Sequence, residues 1–178
     1  MASVSVTKLS KEDHAAVKSL INGAVGKATF DASLPQGQSI TQGLMWNNNR
    51  HQKNLVLIDQ HIWSGELTRA YPNPLVYSRQ GQPSIFILEG PNGSKGGVVY
   101  ADGIENTDRQ WLLAFDGTAD KVYVEAGRRS PTKWEEVEDK LNESGSQSES
   151  VDPEYGGKAY AEIQRAQGRS LVFVWFSN

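Results

Sequence analysis

The sequence predicts a mainly β protein, an antiparallel β-sandwich with two flanking α-helices, and three observations lead there. Four apolar runs succeed one another: Ser84-Ile85-Phe86-Ile87-Leu88, Gly97-Val98-Val99-Tyr100-Ala101, Trp111-Leu112-Leu113-Ala114-Phe115 and Val122-Tyr123-Val124. Each is too short for an ordinary helix and is rich in β-branched and aromatic residues, with turn chemistry between them at Gly90-Pro91-Asn92-Gly93, Asp102-Gly103 and Asp116-Gly117. No connection can hold a crossover helix, so the runs are expected to pair as an antiparallel meander. Finally, the runs are apolar on both faces, which suits a sheet covered by a partner sheet on one side and by a helix on the other.

Composition bounds the rest. A chain of 178 residues with 38% hydrophobic content suits one globular domain spanning residues 1–178. A net charge of −3 gives no concentrated basic surface, which argues against nucleic acid as a partner. With no cysteine there is neither a disulfide framework nor a thiolate nucleophile. Met1-Ala2-Ser3-Val4-Ser5-Val6 lacks the basic and apolar regions of a signal peptide, so the expectation is a soluble protein, cytoplasmic or released by a non-classical route. Nothing approaches the length of a membrane span, which leaves peripheral membrane contact only. A monomer or weak oligomer is expected.

Lys8 to Ala28 reads as a helix, with Ser10 as N-cap and Glu12 and Asp13 near its positive start. Ala16, Val17, Leu20, Ile21 and Ala24 share one face, Gly26 can close the helix, and Leu34-Pro35-Gln36-Gly37 reads as a linker. Such a stripe is ordinarily core against a sheet. The alternative is a membrane-active helix, against which stand the small-residue face and the absence of Trp, with only Phe30 near the end.

Ser39 to Trp46 and Leu55 to Asp59 are predicted strands around the polar loop Asn47 to Asn54. Ile62 to Val76 is less regular, and Tyr71-Pro72-Asn73-Pro74 rules out a central strand there, leaving an edge or loop. Aromatics on that stretch either plug the end of the sandwich or stand exposed for binding. Ser130-Pro131 opens a second helix, residues 131–141, whose Trp134, Val137 and Leu141 form a stripe for the sheet. Asn142 to Pro153 reads as a Ser/Glu-rich surface loop and Tyr155 to Gln164 as a strand. Leu171-Val172-Phe173-Val174-Trp175-Phe176 must be buried in a sheet, paired with an earlier strand.

Catalytic and metal chemistry find little support. His14, His51 and His61 lack zinc-site spacing, no G-x-S-x-G elbow exists, and no cofactor is implied. Gly90 to Gly97 resembles a phosphate loop only in glycine content, because it leads into a strand and not a helix, and it reads as a hairpin loop. Glu135, Glu136, Glu138 and Asp139 read as a solvated helix face. Asn92-Gly93-Ser94 and Asn142-Glu143-Ser144 match the glycosylation pattern, which is idle without export.

Several short segments, in their order and spacing, resemble the jasmonate-induced-protein-like family. They are Leu44-Met45-Trp46-Asn47, Tyr71-Pro72, Gly97-Val98-Val99-Tyr100, Gln110-Trp111-Leu112-Leu113-Ala114-Phe115, Val122-Tyr123-Val124-Glu125, and Asp152 with Tyr155-Gly156. The resemblance runs over most of the chain. It implies an actinoporin-like β-sandwich with flanking helices and, for a member of that family, recognition of membranes containing sphingomyelin together with cholesterol. Carrying over the actinoporin headgroup pocket, Ser64 and Val98 match its pattern, and Trp134 stands where a helix tyrosine is expected. Asp116, Gly117 and Thr118 replace a Ser-x-Pro turn, while Glu138 and Asp139 stand where the pattern has tyrosines. The aromatic membrane loop is reduced to Thr118-Ala119-Asp120, leaving Trp63, Tyr71 and Tyr77 as candidate membrane-interface aromatics. Two functions follow: a non-enzymatic lipid-binding module that does not form pores, or a lectin-like sandwich binding carbohydrate or protein through Trp63, Tyr71 and Tyr77.

Overall fold

The computed structural model describes residues 8–25, 38–103 and 108–178. In chain order the elements are α1 (Lys11–Val25), β1 (Ser39–Asn48), β2 (Val56–Ser64), β3 (Glu66–Arg69), β4 (Ser84–Gly90), β5 (Lys95–Ala101), β6 (Arg109–Asp116), β7 (Lys121–Arg128), α2 (Trp134–Glu143), β8 (Gln147–Val151), β9 (Lys158–Ala166) and β10 (Arg169–Ser177). They build the expected sandwich: a six-stranded sheet in the order β3-β4-β1-β10-β9-β8 faces a four-stranded sheet in the order β2-β5-β6-β7. Among the described residues, no helix is long and apolar enough to cross a membrane.

The period of two in each strand divides the apolar residues between layers. Val98, Tyr100, Trp111, Leu113, Phe115, Val122 and Val124 meet Phe86, Leu88, Val172, Val174 and Phe176 in the central core. Their alternates Val99, Leu112 and Ala114 face outward and are covered by Val137 and Leu141 of α2. On the larger sheet, Leu44, Trp46, Tyr160, Leu171, Phe173 and Trp175 face outward beneath Val17 and Ile21 of α1. The N-terminal helix therefore docks on a sheet through Val17, Leu20, Ile21 and Ala24 of its expected stripe, whereas Ala16 is exposed.

Several boundaries and pairings differ from the sequence expectation. The four consecutive strands exist, but β4 pairs with β1 and β3, whereas β5, β6 and β7 pair with one another in the other sheet. Gly90 to Gly97 is thus no hairpin loop; it carries the chain across the sandwich. A Cβ on Gly90 would lie 2.9 Å from Gly65 Cα, and Gly93 sits at φ +134°, so glycine alone permits this corner. The sandwich is not wholly antiparallel either, because β1 and β10 run parallel. Most of the chain separates those two strands, so no dedicated crossover is needed.

The loop expected at Asn142 to Pro153 contains β8. Its Ser148 and Ser150 hydroxyls accept hydrogen bonds from Val124 N and Ala126 N of β7, both at 3.1 Å. Serine is the composition of a loop, yet here it satisfies the free edge of the smaller sheet and joins the two sheets. β9 begins at Lys158 and not Tyr155, and β2 extends past Asp59 to Ser64 through register shifts near Leu57 and Ile62. Trp63 therefore lies in a strand. α2 starts at Trp134 and not Pro131, because the Ser130 amide is bonded to Gln110 Oε1 at 3.1 Å and residues 130–133 stay irregular. Ser10 caps α1 as expected, its Oγ accepting from Asp13 N at 3.0 Å. Gly26, the end of the expected 8–28 helix, Phe30 and the linker 34–37 lie outside the described residues.

Ion pairs pin α1 to the larger sheet, Lys158–Asp13 at 2.8 Å and Lys18–Glu162 at 2.7 Å, and His14 Nε2 lies 3.2 Å from Glu149 Oε2. Burial would raise the Asp13 and Glu162 carboxyls. The bonds from Lys158 and Ser10 to Asp13, and from Lys18, Gln164 and Tyr160 to Glu162, outweigh it and hold both below their ordinary values. A carboxyl depressed by folding contributes stability that is present above its unfolded value and lost as pH falls through its folded value. Folding stability is accordingly expected to fall with acidification from about pH 5 to pH 3. Glu162→Gln removes one titrating group, so its urea-unfolding stability should fall less steeply over that window. Equal acid slopes in the two proteins would show that Glu162 does not anchor α1.

Candidate functional site

The outer face of the smaller sheet carries an aromatic corner. In the extended backbone of β2, Asp59, His61 and Trp63 alternate on that face, and Trp134, the first residue of α2, descends onto them. The ring of His61 stacks on Trp134 at 5.5 Å and 19°, and Trp63 meets Trp134 edge-on at 5.7 Å. Trp134 Nε1 donates to Asp59 Oδ2 at 3.2 Å. Gly97, opposite His61 in register, makes room: a Cβ there would stand 2.5 Å from the Trp134 ring. Lys95 closes the corner, with Nζ 5.6 Å from the Trp63 ring centroid and 2.7 Å from Glu138 Oε2.

Toward the nearby end of the sandwich, Ser64, Lys95 and Asp116 lie in one row across three strands. Ser64 Oγ donates to Asn92 O at 3.5 Å. A Cβ on Gly93 would approach Ser64 Oγ at 3.0 Å and Thr118 Oγ1 at 3.3 Å, so the two hydroxyls flank this glycine. Asp116 Oδ1 accepts from Thr118 N and Ala119 N, each at 3.0 Å, which shapes the 117–120 turn and offsets part of the carboxylate charge. Next to this rim opens a polar cleft of about 400 Å³ lined by Gln38, Ser39, Asn92, Thr118, Arg165 and Ser170. Arg165 is fixed there by Asp120 Oδ2 and by the carbonyls of Gly117 and Thr118, all at 3.1 Å.

The fold thus gathers Ser64, Asp116, Thr118, Trp134 and Trp63 at one end. It does not bring the other candidates to them. Val98 is wholly buried and faces the central core, because its strand parity is that of Tyr100 and opposite to that of Lys95 and Gly97. Tyr71, expected at a membrane interface, is 3% exposed and packs on Phe86 at 4.9 Å. It plugs the sandwich, and burial pushes its hydroxyl far above the usual tyrosine value. Tyr77 is half-buried at the opposite end, where its amide bonds Asn54 Oδ1 at 3.1 Å beside the start of β2. Asp59, His61, Lys95 and Arg165 were not anticipated as site residues. The alternation Asp59-x-His61-x-Trp63 and the adjacent Gly96-Gly97 within an apolar run were the available signals, since paired glycines in a strand mark a close approach. Among the described residues, no cluster of three or more His, Asp or Glu could hold a metal ion.

No family model and no curated protein matches the chain. Among solved structures it is similar to the lipid-binding protein Nakanori, with a TM-score of 0.59 at 16% identity over 94% of this chain and 80% of that one. It is also similar to the wild-type lectin XCL of Xerocomus chrysenteron, with a TM-score of 0.53 at 11% identity over 79% of this chain and 99% of that one. At these identities the likeness is one of fold, a relationship to Nakanori and not membership of its family.

The buried place of Tyr71 separates two substitutions. Tyr71→Phe deletes a buried hydroxyl that has no hydrogen-bond partner among the described residues and should leave stability unchanged or raised. Tyr71→Ala should cost about 3–5 kcal/mol by opening a cavity. Urea unfolding of both variants decides, and an alanine variant as stable as wild type would return Tyr71 to the surface.

Proposed function

We propose that this chain acts as a single-domain, non-enzymatic module that binds membrane lipid peripherally, recognising membranes that contain sphingomyelin together with cholesterol. The observation that carries the reading is the aromatic corner of His61, Trp63 and Trp134, which accommodates a cation beside a carboxylate. A choline headgroup requires the same chemistry: an aromatic face for cation–π attraction, worth about 0.5–2 kcal/mol, and a nearby negative charge. The Thr118 hydroxyl at the rim can donate to the headgroup phosphate, and Ser64 Oγ can do so in exchange for its 3.5 Å bond to Asn92 O. Trp63 and Trp134, both half-buried, supply the amphipathic rings suited to a membrane interface. The fold relationship to a lipid-binding protein supports the reading, and the sterol requirement follows from the family resemblance.

The reading does not include a pore. A pore of the actinoporin type requires the N-terminal helix to leave the sheet and enter the bilayer. α1 fully buries Val17 and Ile21 and partly buries Leu20 and Ala24, and its departure would uncover Trp46, Phe173 and Trp175 while breaking the His14–Glu149 contact to β8 and the ion pairs to β9. The gain in the bilayer is small and the loss at the sheet is large.

A carbohydrate reading has its own observation in the polar cleft beside Thr118. Amides, hydroxyls and a charge-paired guanidinium line it beside Ile40 and Pro91, a mix that suits a neutral polyhydroxyl ligand, and the fold relationship to a lectin accords with this.

Co-sedimentation with vesicles tests the choice. Binding is expected with sphingomyelin/cholesterol vesicles and not with plain phosphatidylcholine; equal binding to both would refute the specificity. A glycan array giving strong hits while all vesicles fail would select the carbohydrate reading. Trp63→Ala should weaken vesicle binding with the fold intact by circular dichroism. At saturating protein, dye-loaded sphingomyelin/cholesterol vesicles should retain their dye, and release would show that α1 does enter the bilayer.

A further inference from the structure

The cationic position in the aromatic corner is filled by the chain itself. Lys95 has only 17% of its side chain exposed, with Nζ held by Glu138 at 2.7 Å and by Asn142 Oδ1 at 3.4 Å over the Trp63 ring. These groups are the ones a quaternary ammonium would use, and two cations cannot share them. Lysine nevertheless differs from a quaternary ammonium in one respect: its N–H groups need acceptors, whereas trimethylammonium needs only an aromatic face and a negative field.

We infer that Lys95 is a built-in competitor that makes the site selective for a zwitterion over a simple cation. The inference rests on the headgroup reading above. A bare quaternary ammonium entering the corner must displace Lys95 and leave its ammonium without a partner. A phosphocholine group brings its own anion, so an exchange of partners becomes possible: the trimethylammonium moves to Trp63 and Glu138, and Lys95 swings onto the phosphate. No charge is left unpaired. The row Ser64–Lys95–Asp116 favours this, because the Lys95 backbone lies beside Ser64 at the rim where the phosphate would sit, and the flexible four-carbon stem supplies the reach. Asp116 does not compete strongly for Lys95, since its Oδ1 accepts two backbone amides.

The test uses soluble choline and phosphocholine, titrated into wild type, Lys95→Met and Lys95→Arg, with the indole N–H signals of Trp63 and Trp134 followed by NMR. Lys95→Met keeps the apolar stem and removes the charge, so the fold should persist; Lys95→Arg keeps the competitor. Wild type and Lys95→Arg are expected to bind phosphocholine well ahead of choline. In Lys95→Met, choline should bind about tenfold more tightly than in wild type, as for a site freed from a competing state, and the preference for phosphocholine should shrink. Choline affinity in Lys95→Met equal to or below that of wild type, including no binding in either, would overturn the inference. Vesicle binding that persists alongside that result would leave the membrane reading standing without the lysine. Tightened choline binding in Lys95→Met with no vesicle binding would keep the lysine's role and remove the membrane reading.

Discussion

Burial of β10 on both faces is the constraint on which the rest of the structure depends. Every residue from Arg169 to Ser177 is buried, with Val172, Val174 and Phe176 turned to the central core and Leu171, Phe173 and Trp175 turned away from it. Such a strand cannot occupy an edge, and neither of its faces can meet water. β9 flanks it on one side, antiparallel, and β1 on the other, parallel. The smaller sheet covers one face and α1 the other. The helix needs little apolar surface of its own for this, because the large aromatic residues belong to the sheet; its charged residues then reach the strands at the periphery.

The candidate site arises where the chain leaves one sheet for the other. Gly65, Gly90 and Gly93 pack closely enough there that side chains would collide, and this contact brings the Ser64 and Thr118 hydroxyls to either side of Gly93. Gly97 does the same for the aromatic corner by admitting the Trp134 ring onto the sheet. Backbone proximity, more than any cluster of charged residues, positions the candidate groups.

The charges around this end are largely paired: Lys95 with Glu138, Arg165 with Asp120, and Asp116 with two amides of its own turn. A surface balanced in this way has little attraction for a polyanion and suits a neutral or zwitterionic ligand, in keeping with the net charge of −3. Selectivity at such a site depends on which existing pairs a ligand can replace without leaving a charge unpaired.

The sequence alone determined the mainly β class, both helices and most of the strands, because these depend on local period, turn residues and capping: Ser10 caps α1, and Val137 and Leu141 cover the sheet as their spacing requires. It also placed Ser64, Thr118, Trp63 and Trp134 among the candidates. Only the tertiary structure decided that β4 and β5 belong to different sheets, since a run apolar on both faces carries no mark of its partner. β8 was hidden for the converse reason: its serines look like loop residues until Val124 and Ala126 of β7 are opposite them. The same holds at the site. Tyr71 and Trp63 have similar chemistry in the sequence, yet Tyr71 packs inside against Phe86 while Trp63 remains on the outer face under Lys95. The parity of β2 sets the place of Trp63, and the path of the chain after β3 sets that of Tyr71, which lies in no strand; neither is a property of the residue itself.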